Sequence, residues 1–177
     1  MPRDAGGVSL PALAAVATLG GMIPARIDLA DPSRTEALAR IVAGVARAGD
    51  VIALSGEMGA GKSVFARAFL RAFANDPALE VPSPTFSLVQ PYDTAQGPVT
   101  HFDLWRLGGP DELEALGWEL AREGIVLVEW PDHAGDWIED DALRITLSAG
   151  PRDDARVATI AGWPDRLAAI LRVMARR

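Results

Sequence analysis

The chain has 177 residues, of which 49% are hydrophobic, enough for one domain with a substantial core. Its formal net charge of −7 argues against autonomous binding to nucleic acid, and the lack of cysteine excludes disulfides, a thiol nucleophile and cysteine metal sites. No apolar run approaches the roughly eighteen residues needed to span a bilayer, so we expect a cytoplasmic protein without membrane association.

The beginning of the chain divides into an extension and the first elements of a domain. Residues 1–22 show little periodicity and are predicted to be a poorly ordered extension, which leaves residues 23–177 as the domain. Residues 23–29 have the character of an edge strand. A helix follows, with Asp31 or Ser33 as its N-cap. Its predicted buried stripe consists of Leu38, Ile41, Val42 and Val45.

The most specific motif is a glycine-rich run at residues 56–63. Its sequence, Gly56-Glu57-Met58-Gly59-Ala60-Gly61-Lys62-Ser63, fits the pattern G-x-x-x-x-G-K-[ST] of the P-loop. Residues 50–55 before it predict a buried strand, and residues 63–73 after it predict a helix whose N-terminal amides face a bound phosphate. This strand, loop and helix context disfavours the alternative of a chance match.

Lysine usage supports the same interpretation. Of the 17 Lys and Arg residues, Lys62 is the one lysine. A compact ammonium fits between β- and γ-phosphate oxygens, where a planar guanidinium is too wide. Ser63 would offer its hydroxyl to Mg²⁺. In the helix, Phe65, Phe69 and Phe73 recur every four residues and predict core packing.

A proline-stiffened loop follows at residues 80–85. It would present Thr85 to the γ-phosphate, as switch threonines are presented in GTPases, although an ordinary proline-rich connection is the alternative. Residues 86–92 and 99–105 are predicted as strands, with a loop over residues 93–98 between them.

Two acids end predicted strands, where ligands bind in open α/β sheets. Glu129 follows the apolar strand 125–128 in the manner of a Walker B acid that holds Mg²⁺; the alternative is a surface glutamate. Asp103 lies within a strand, where propensity disfavours aspartate; the alternative is a turn cap. Strand alternation places His101, Asp103 and Trp105 on one face, so His101 could orient the Asp103 carboxylate.

The remaining pattern completes an α/β arrangement. Pro110 is predicted near the first position of a helix, residues 143–147 and 156–160 resemble a hairpin pair, and residues 166–174 an amphipathic helix. The whole predicts an α/β, P-loop NTPase-like three-layer fold with a mainly parallel central sheet. Because the chain lacks the Asn-Lys-x-Asp run that selects guanine, ATP is favoured over GTP.

Together these motifs resemble the TsaE (YjeE) family, small bacterial ATPases needed to make threonylcarbamoyladenosine in tRNA. The resemblance covers roughly residues 23–162. It rests on the order and spacing of the residue 56–63 run, Ser83-Pro84-Thr85-Phe86, His101 to Leu107, Pro110 to Glu114 with Gly117, and Val128-Glu129-Trp130.

The resemblance implies a P-loop ATPase domain that uses ATP and Mg²⁺. Ser63 and Glu129 match metal-binding positions, and Asp103, Lys62 and Thr85 match residues that serve hydrolysis. Trp130 matches a tryptophan beside the site, and residues 31–35, which include Pro32, match a segment that lies near the adenine in the family. The nucleotide-binding set is then Glu57, Met58, Gly59, Ala60, Gly61, Lys62, Ser63, Val64, Pro32 and Trp130.

The implied partners are TsaD, which carries the transferase chemistry on tRNA, and its scaffold TsaB, so that tRNA is met only through the complex. Two positions depart from the family: Ser63 stands where Thr is frequent, and Trp105 where Tyr is usual. The alternative functions are a P-loop kinase for a small molecule or cell-wall precursor, and a nucleotide-binding module without catalysis.

Overall fold

Residues 24–176 are the part of the chain that the computed structural model describes. The predicted extension, residues 1–22, lies outside them. The strands are β1 Ala25–Leu29, β2 Val51–Ser55, β3 Val89–Thr94, β4 Gly97–Asp103, β5 Ile125–Glu129, β6 Leu143–Ala149 and β7 Arg156–Ala161. The helices are α1 Pro32–Ala43, α2 Lys62–Phe73, α3 Glu112–Ala115, α4 Trp118–Ala121 and α5 Pro164–Ala175, with a 3-10 segment at Pro131–Trp137.

The seven strands form one sheet in the order β1-β7-β6-β2-β5-β4-β3. The four central strands β6, β2, β5 and β4 run parallel. The pairings β1–β7, β7–β6 and β3–β4 are antiparallel and extend the sheet on both sides. The α/β fold with a mainly parallel central sheet is therefore confirmed.

Strand alternation divides the core into two clusters, one on each face of the sheet. Ile52 and Leu54 of β2 face the cluster that contains the side chains of α1, α2 and α5. Val51 and Ala53 of the same strand face the cluster formed with α3, α4 and the 3-10 segment. The result is the predicted three-layer arrangement, with both faces of the parallel core covered.

Local sequence explains how the first helix begins. The Asp31 side chain accepts hydrogen bonds from the backbone N–H groups of Ser33 (2.8 Å) and Arg34 (3.3 Å), so Asp31 rather than Ser33 is the N-cap. Pro32 occupies the first helical position, where its missing N–H costs nothing. Leu38 and Val42 are buried as predicted, whereas Ile41 and Val45 are only half-buried. The buried face is completed instead by Thr35, Ala37, Ala39 and Ala43.

The predicted strand at residues 86–92 is wrong at its start, because β3 begins only at Val89. Leu88 has a φ of 64°, which breaks the extended backbone, and Phe86 is exposed. The predicted loop at residues 93–98 is also wrong. Thr94 and Gly97 close a tight hairpin in which the Thr94 hydroxyl donates to the Gly97 carbonyl at 2.7 Å.

Two further boundaries differ from prediction. β4 ends at Asp103, since the backbone N–H of Leu104 turns to the Glu129 carbonyl, so Trp105 shares no strand face with Asp103. The helix after Pro110 begins at Glu112 and breaks at Gly117, where φ is 80°. None of the helices in residues 24–176 is long and apolar enough to cross a membrane.

Candidate functional site

The carboxyl ends of the neighbouring strands β2, β5 and β4 border a cleft of about 360 Å³. Parallel strands deliver the residues at their ends to one edge of the sheet, where open α/β folds bind ligands. Asp103 and Glu129 lie side by side here because they are register partners in β4 and β5. The lining residues are Met58, Gly59, Gly61, Lys62, Ser63, Val64, Ser83, Thr85, Asp103, Trp105, Glu129 and Trp130.

The loop from β2 to α2 requires glycine at two points. Gly56 has a φ of 138°, and a Cβ there would collide with the carbonyl oxygen of Leu147. Gly61, the N-cap of α2, has a φ of 105°. The loop thus turns tightly into the helix, and the free amides and positive dipole end of the α2 N-terminus suit an anion.

Lys62 places a buried ammonium in this loop. Its Nζ donates to the carbonyls of Gly56 (2.7 Å) and Glu57 (2.9 Å) and lies 3.9 Å from the centroid of the Trp130 ring. Burial lowers the pKa of Lys62, and the two carboxylates of the cleft oppose that shift. The amine is therefore tethered by neutral acceptors and an aromatic face, not by an ion pair.

Glu129 is held by two partners, one at each carboxylate oxygen. The Ser63 hydroxyl donates to Oε2 at 3.1 Å, and Nε2 of His101 lies 3.0 Å from Oε1. The histidine and glutamate side chains are 1% and 3% exposed. The expectation that His101 orients Asp103 is therefore wrong, because its ring reaches across to the neighbouring strand.

The arrangement of Ser63 and Glu129 fits a magnesium ion. Mg²⁺ prefers oxygen ligands at 2.0–2.1 Å in an octahedron, in which adjacent ligands lie about 3 Å apart. The 3.1 Å between Ser63 Oγ and Glu129 Oε2 matches that spacing. Ser63 and Glu129 are therefore the residues that could hold a metal ion in this cleft.

Asp103 is the centre of a second hydrogen-bonded group. Its Oδ2 accepts from the hydroxyls of Thr85 at 3.2 Å and Ser83 at 3.3 Å, and these two hydroxyls are 2.9 Å apart. The indole Nε1 of Trp105 donates to the Thr85 carbonyl at 3.3 Å. Although Asp103 is only 4% exposed, it borders the cleft, so the proline-stiffened loop closes one side of the site.

Most of the predicted site residues converge on this cleft. Glu57 and Ala60 lie instead on an adjoining cleft of about 730 Å³, which the loop borders from its other side. Pro32 begins α1 and borders neither cleft. The residues brought together as predicted are Met58, Gly59, Gly61, Lys62, Ser63, Val64, Thr85, Asp103, Glu129 and Trp130.

Sequence reasoning did not place Ser83, Trp105 and Arg156 at the site. Arg156 donates from Nε to the Ala60 carbonyl and from Nη2 to the Gly59 carbonyl, both at 3.2 Å, and so fixes the loop from β7. Ser83 and Trp105 lie within the sequence motifs at residues 83–86 and 101–107, so their positions in the sequence could have indicated a place at the site. Arg156 carried no such signal, because it is almost a hundred residues away in sequence.

A parallel four-stranded core, with a glycine-rich loop joining a central strand to a helix at the site, defines the α/β P-loop-like class of fold. Comparison with known proteins narrows this class. The family described as "Threonylcarbamoyl adenosine biosynthesis protein TsaE" matches residues 29–158. The chain belongs to the TsaE family.

Individual proteins similar to this chain support the same family assignment. The TsaE proteins of Rickettsia felis and Bacillus subtilis are 36% and 30% identical to this chain, over 59% and 72% of its length. These matches span 61% and 79% of the relatives, so the chain covers less than two thirds of the Rickettsia felis protein. The crystal structure of YdiB from Bacillus subtilis superposes with a TM-score of 0.64 at 26% identity, covering 88% of this chain and 96% of YdiB.

Proposed function

We propose that this protein is a magnesium-dependent ATPase that supports the machinery making threonylcarbamoyladenosine in tRNA. The observation that carries the proposal is the convergence of five side chains on one cleft at the end of the parallel strands. They are Lys62, Ser63, Thr85, Asp103 and Glu129.

Binding of the nucleotide falls to the loop and the start of α2. The backbone amides of residues 57–63 would cradle the phosphates, and Lys62 would move from the carbonyls of Gly56 and Glu57 to the β- and γ-phosphate oxygens. Trp130 limits how far the ammonium can travel, since its ring covers the other side. The chain's lack of a guanine-selecting motif favours ATP.

Ser63 and Glu129 would bind the magnesium ion. Mg²⁺ would neutralise charge that develops on the phosphate oxygens during transfer. Glu129 receives a hydrogen bond from His101, which keeps its carboxylate oriented toward Ser63. Oriented ligands of this kind tighten metal binding because less order has to be gained when the ion arrives.

Hydrolysis falls to Asp103 and Thr85. The Thr85 hydroxyl is already engaged by Asp103, which places a carboxylate and a hydroxyl together where the terminal phosphate would end. From there Asp103 can orient the attacking water, and Thr85 can contact the γ-phosphate. Interactions of this type act mainly in the transition state, so they raise kcat more than nucleotide affinity.

The proposed partners are the transferase TsaD and its scaffold TsaB. A chain of net charge −7 is poorly suited to hold tRNA by itself, so the partners would carry the RNA and this protein would supply ATP turnover in the cytoplasm. Hydrolysis stimulated by the partners is the expected behaviour of an energy-coupling subunit.

The test is phosphate release from MgATP by the purified protein, with and without the TsaB–TsaD pair. Slow hydrolysis that the pair accelerates would support the proposal, and Lys62→Ala serves as the inactive control. Transfer of phosphate to a metabolite would instead indicate a small-molecule kinase. Tight ATP binding without turnover in any mixture would indicate a nucleotide-binding module without catalysis.

A further inference from the structure

Phe86 is a large apolar side chain that stays exposed beside the cleft. It is 84% exposed, whereas the other phenylalanines of the chain are buried. Pro82 and Pro84 stiffen the loop that carries it, and the Leu88 N–H closes the loop on the Pro84 carbonyl at 2.7 Å. The ring is thus presented on a constrained loop, which lowers the entropy lost when a partner buries it.

Arg106 lies against this ring. Its guanidinium carbon is 5.0 Å from the centroid of Phe86 and 4.5 Å from that of Trp105, so it stacks on both aromatic side chains. Within residues 24–176 the Arg106 side chain takes part in no hydrogen bond or ion pair, and the residue is exposed. Its N–H groups are therefore free to meet an acceptor from another molecule.

The same stack reaches the candidate hydrolysis site. Trp105 borders the cleft and donates from Nε1 to the carbonyl of Thr85, the residue next to Phe86. The hydroxyl of Thr85 in turn donates to Asp103. Phe86 and Arg106 are thus connected to the Asp103 carboxylate by short routes at the surface. Phe86 is joined to it through Thr85, its neighbour in the loop, and Arg106 through the indole of Trp105, which contacts Thr85.

We propose that Phe86 and Arg106 form the docking element through which the partner protein binds and stimulates hydrolysis. The partner surface that fits is an apolar pocket for the phenyl ring with a carboxylate beside it for the guanidinium. The inference rests on the proposed function and specifies its partner contact. Docking would act on the loop that carries Thr85, and so on the hydrogen bond between Thr85 and Asp103.

A protein fits this element better than RNA does. One face of the Phe86 ring is already occupied by Arg106, which leaves less of it for stacking on a base. Binding to a phosphate backbone needs several basic contacts, and the chain as a whole carries a net charge of −7. Aromatic and arginine side chains at the centre of an interface are, in contrast, the usual anchors of protein–protein binding.

The experiment measures affinity for the purified TsaB–TsaD pair in MgATP, beside ATP affinity of the chain alone. Phe86→Ala is expected to weaken partner binding about thirty-fold, as loss of a central aromatic anchor does, while ATP affinity stays the same. The matched control is Leu120→Ala, which removes a side chain of a residue that is 72% exposed on α4, and it should leave both affinities unchanged.

Arg106→Gln tests whether the partner surface offers a carboxylate to the guanidinium. In the wild-type protein partner affinity should fall as salt rises, and in Arg106→Gln that dependence should become shallower. A Phe86→Ala variant that binds the pair within about twofold of wild type overturns this inference alone. The inference is also overturned if Phe86→Ala loses binding to tRNA, measured without the protein pair, while its affinity for the pair is unchanged. A wild-type chain that fails to bind the pair overturns the proposed function as well.

Discussion

At the scale of single residues, Lys62 combines charge, burial and position. It is the one lysine of the chain, so an acylating reagent has no other side-chain amine to modify. Its 5% exposure and its bonds to two loop carbonyls should make acylation slow, and MgATP should slow it further by engaging the amine. Labelling followed by mass spectrometry checks this, and equal rates with and without MgATP would contradict the proposed role.

Replacing Lys62 by arginine tests shape at constant charge. The ammonium sits between two carbonyls and the ring of Trp130 at 3.9 Å, and this space does not suit a planar guanidinium. We expect Lys62→Arg to lose most of the ATP affinity, measured by calorimetry. Arg67→Lys on α2 exchanges the same two side chains outside the candidate site and is the matched control.

Glu129 and Asp103 are neighbours in the sheet with different expected effects. Glu129→Gln should weaken nucleotide binding mainly when magnesium is present, since its carboxylate faces Ser63 and the metal position. Asp103→Asn should keep ATP affinity within a few-fold yet remove turnover, because the proposed interaction of Asp103 with the attacking water would be made mainly in the transition state. ATP affinity and partner-stimulated hydrolysis are measured for both variants. Normal hydrolysis by Asp103→Asn would refute its assignment.

His101 is expected to act on the metal through Glu129. Removing its Nε2 donor with His101→Leu leaves Glu129 Oε1 buried without that partner, and outer partners of metal ligands typically contribute 10–100-fold in affinity. We expect the affinity for magnesium, measured by titrating nucleotide binding with the metal, to fall about tenfold. Nucleotide binding without the metal should be unchanged. His101→Gln, which restores a donor, should recover part of the loss. His133→Leu, at the only other histidine, is the control.

At the scale of elements, an ion pair ties α5 to the start of β2. Arg166 donates to both Asp50 oxygens at 2.6 and 2.8 Å and to the Val45 carbonyl at 3.0 Å, and it lies 3.7 Å from the Trp163 ring centroid. Both charged side chains are below 20% exposed. Removing one partner of such a pair leaves a charge largely desolvated.

Arg166→Met is therefore expected to lower the free energy of unfolding by about 2 kcal/mol, less than for a fully buried pair because water still reaches this one. Arg172→Met, on an exposed position of the same helix, should change it by less than about 0.5 kcal/mol. Urea unfolding of both variants gives the comparison. Equal free energies of unfolding for Arg166→Met and Arg172→Met would show that the ion pair between Arg166 and Asp50 does not stabilise the packing of α5.

The elements also show how far sequence patterns reach. The apolar runs of β2 and β5 were predictable because strands covered on both faces need apolar side chains throughout. The acids at strand ends were predictable because parallel strands end at one edge. The start of β3 was not, since Phe86 is apolar and exposed, a choice that local hydrophobicity cannot reveal.

The contact of His101 was also beyond the sequence. Alternation within β4 puts it on the same strand face as Asp103, but His101 pairs with Leu127 in the neighbouring strand and reaches diagonally to Glu129. Such a diagonal contact depends on which strands are neighbours and in what register. Both are properties of the assembled sheet, which forms between segments distant in the chain.

At the scale of the whole molecule, both core clusters draw their side chains from residues 25–174. The two clusters share the central sheet, so the layers on its two faces are expected to unfold together. Within this unit β1 lies at one edge of the sheet and pairs only with β7 among the described strands. The N-terminal boundary of the folding unit can therefore be tested by shortening the chain in steps.

A chain that begins at Met22 is expected to melt within about 2 °C of the full chain and to bind ATP equally, because the sequence of residues 1–22 shows little hydrophobic periodicity. A chain that begins at Ala30 removes β1 and the fully buried Leu29, a loss on the order of 3 kcal/mol, so its melting temperature should fall by roughly 6–12 °C. Differential scanning calorimetry compares the three chains. If the Met22 chain melts as low as the Ala30 chain, residues 1–22 contribute to the fold and the predicted boundary is wrong.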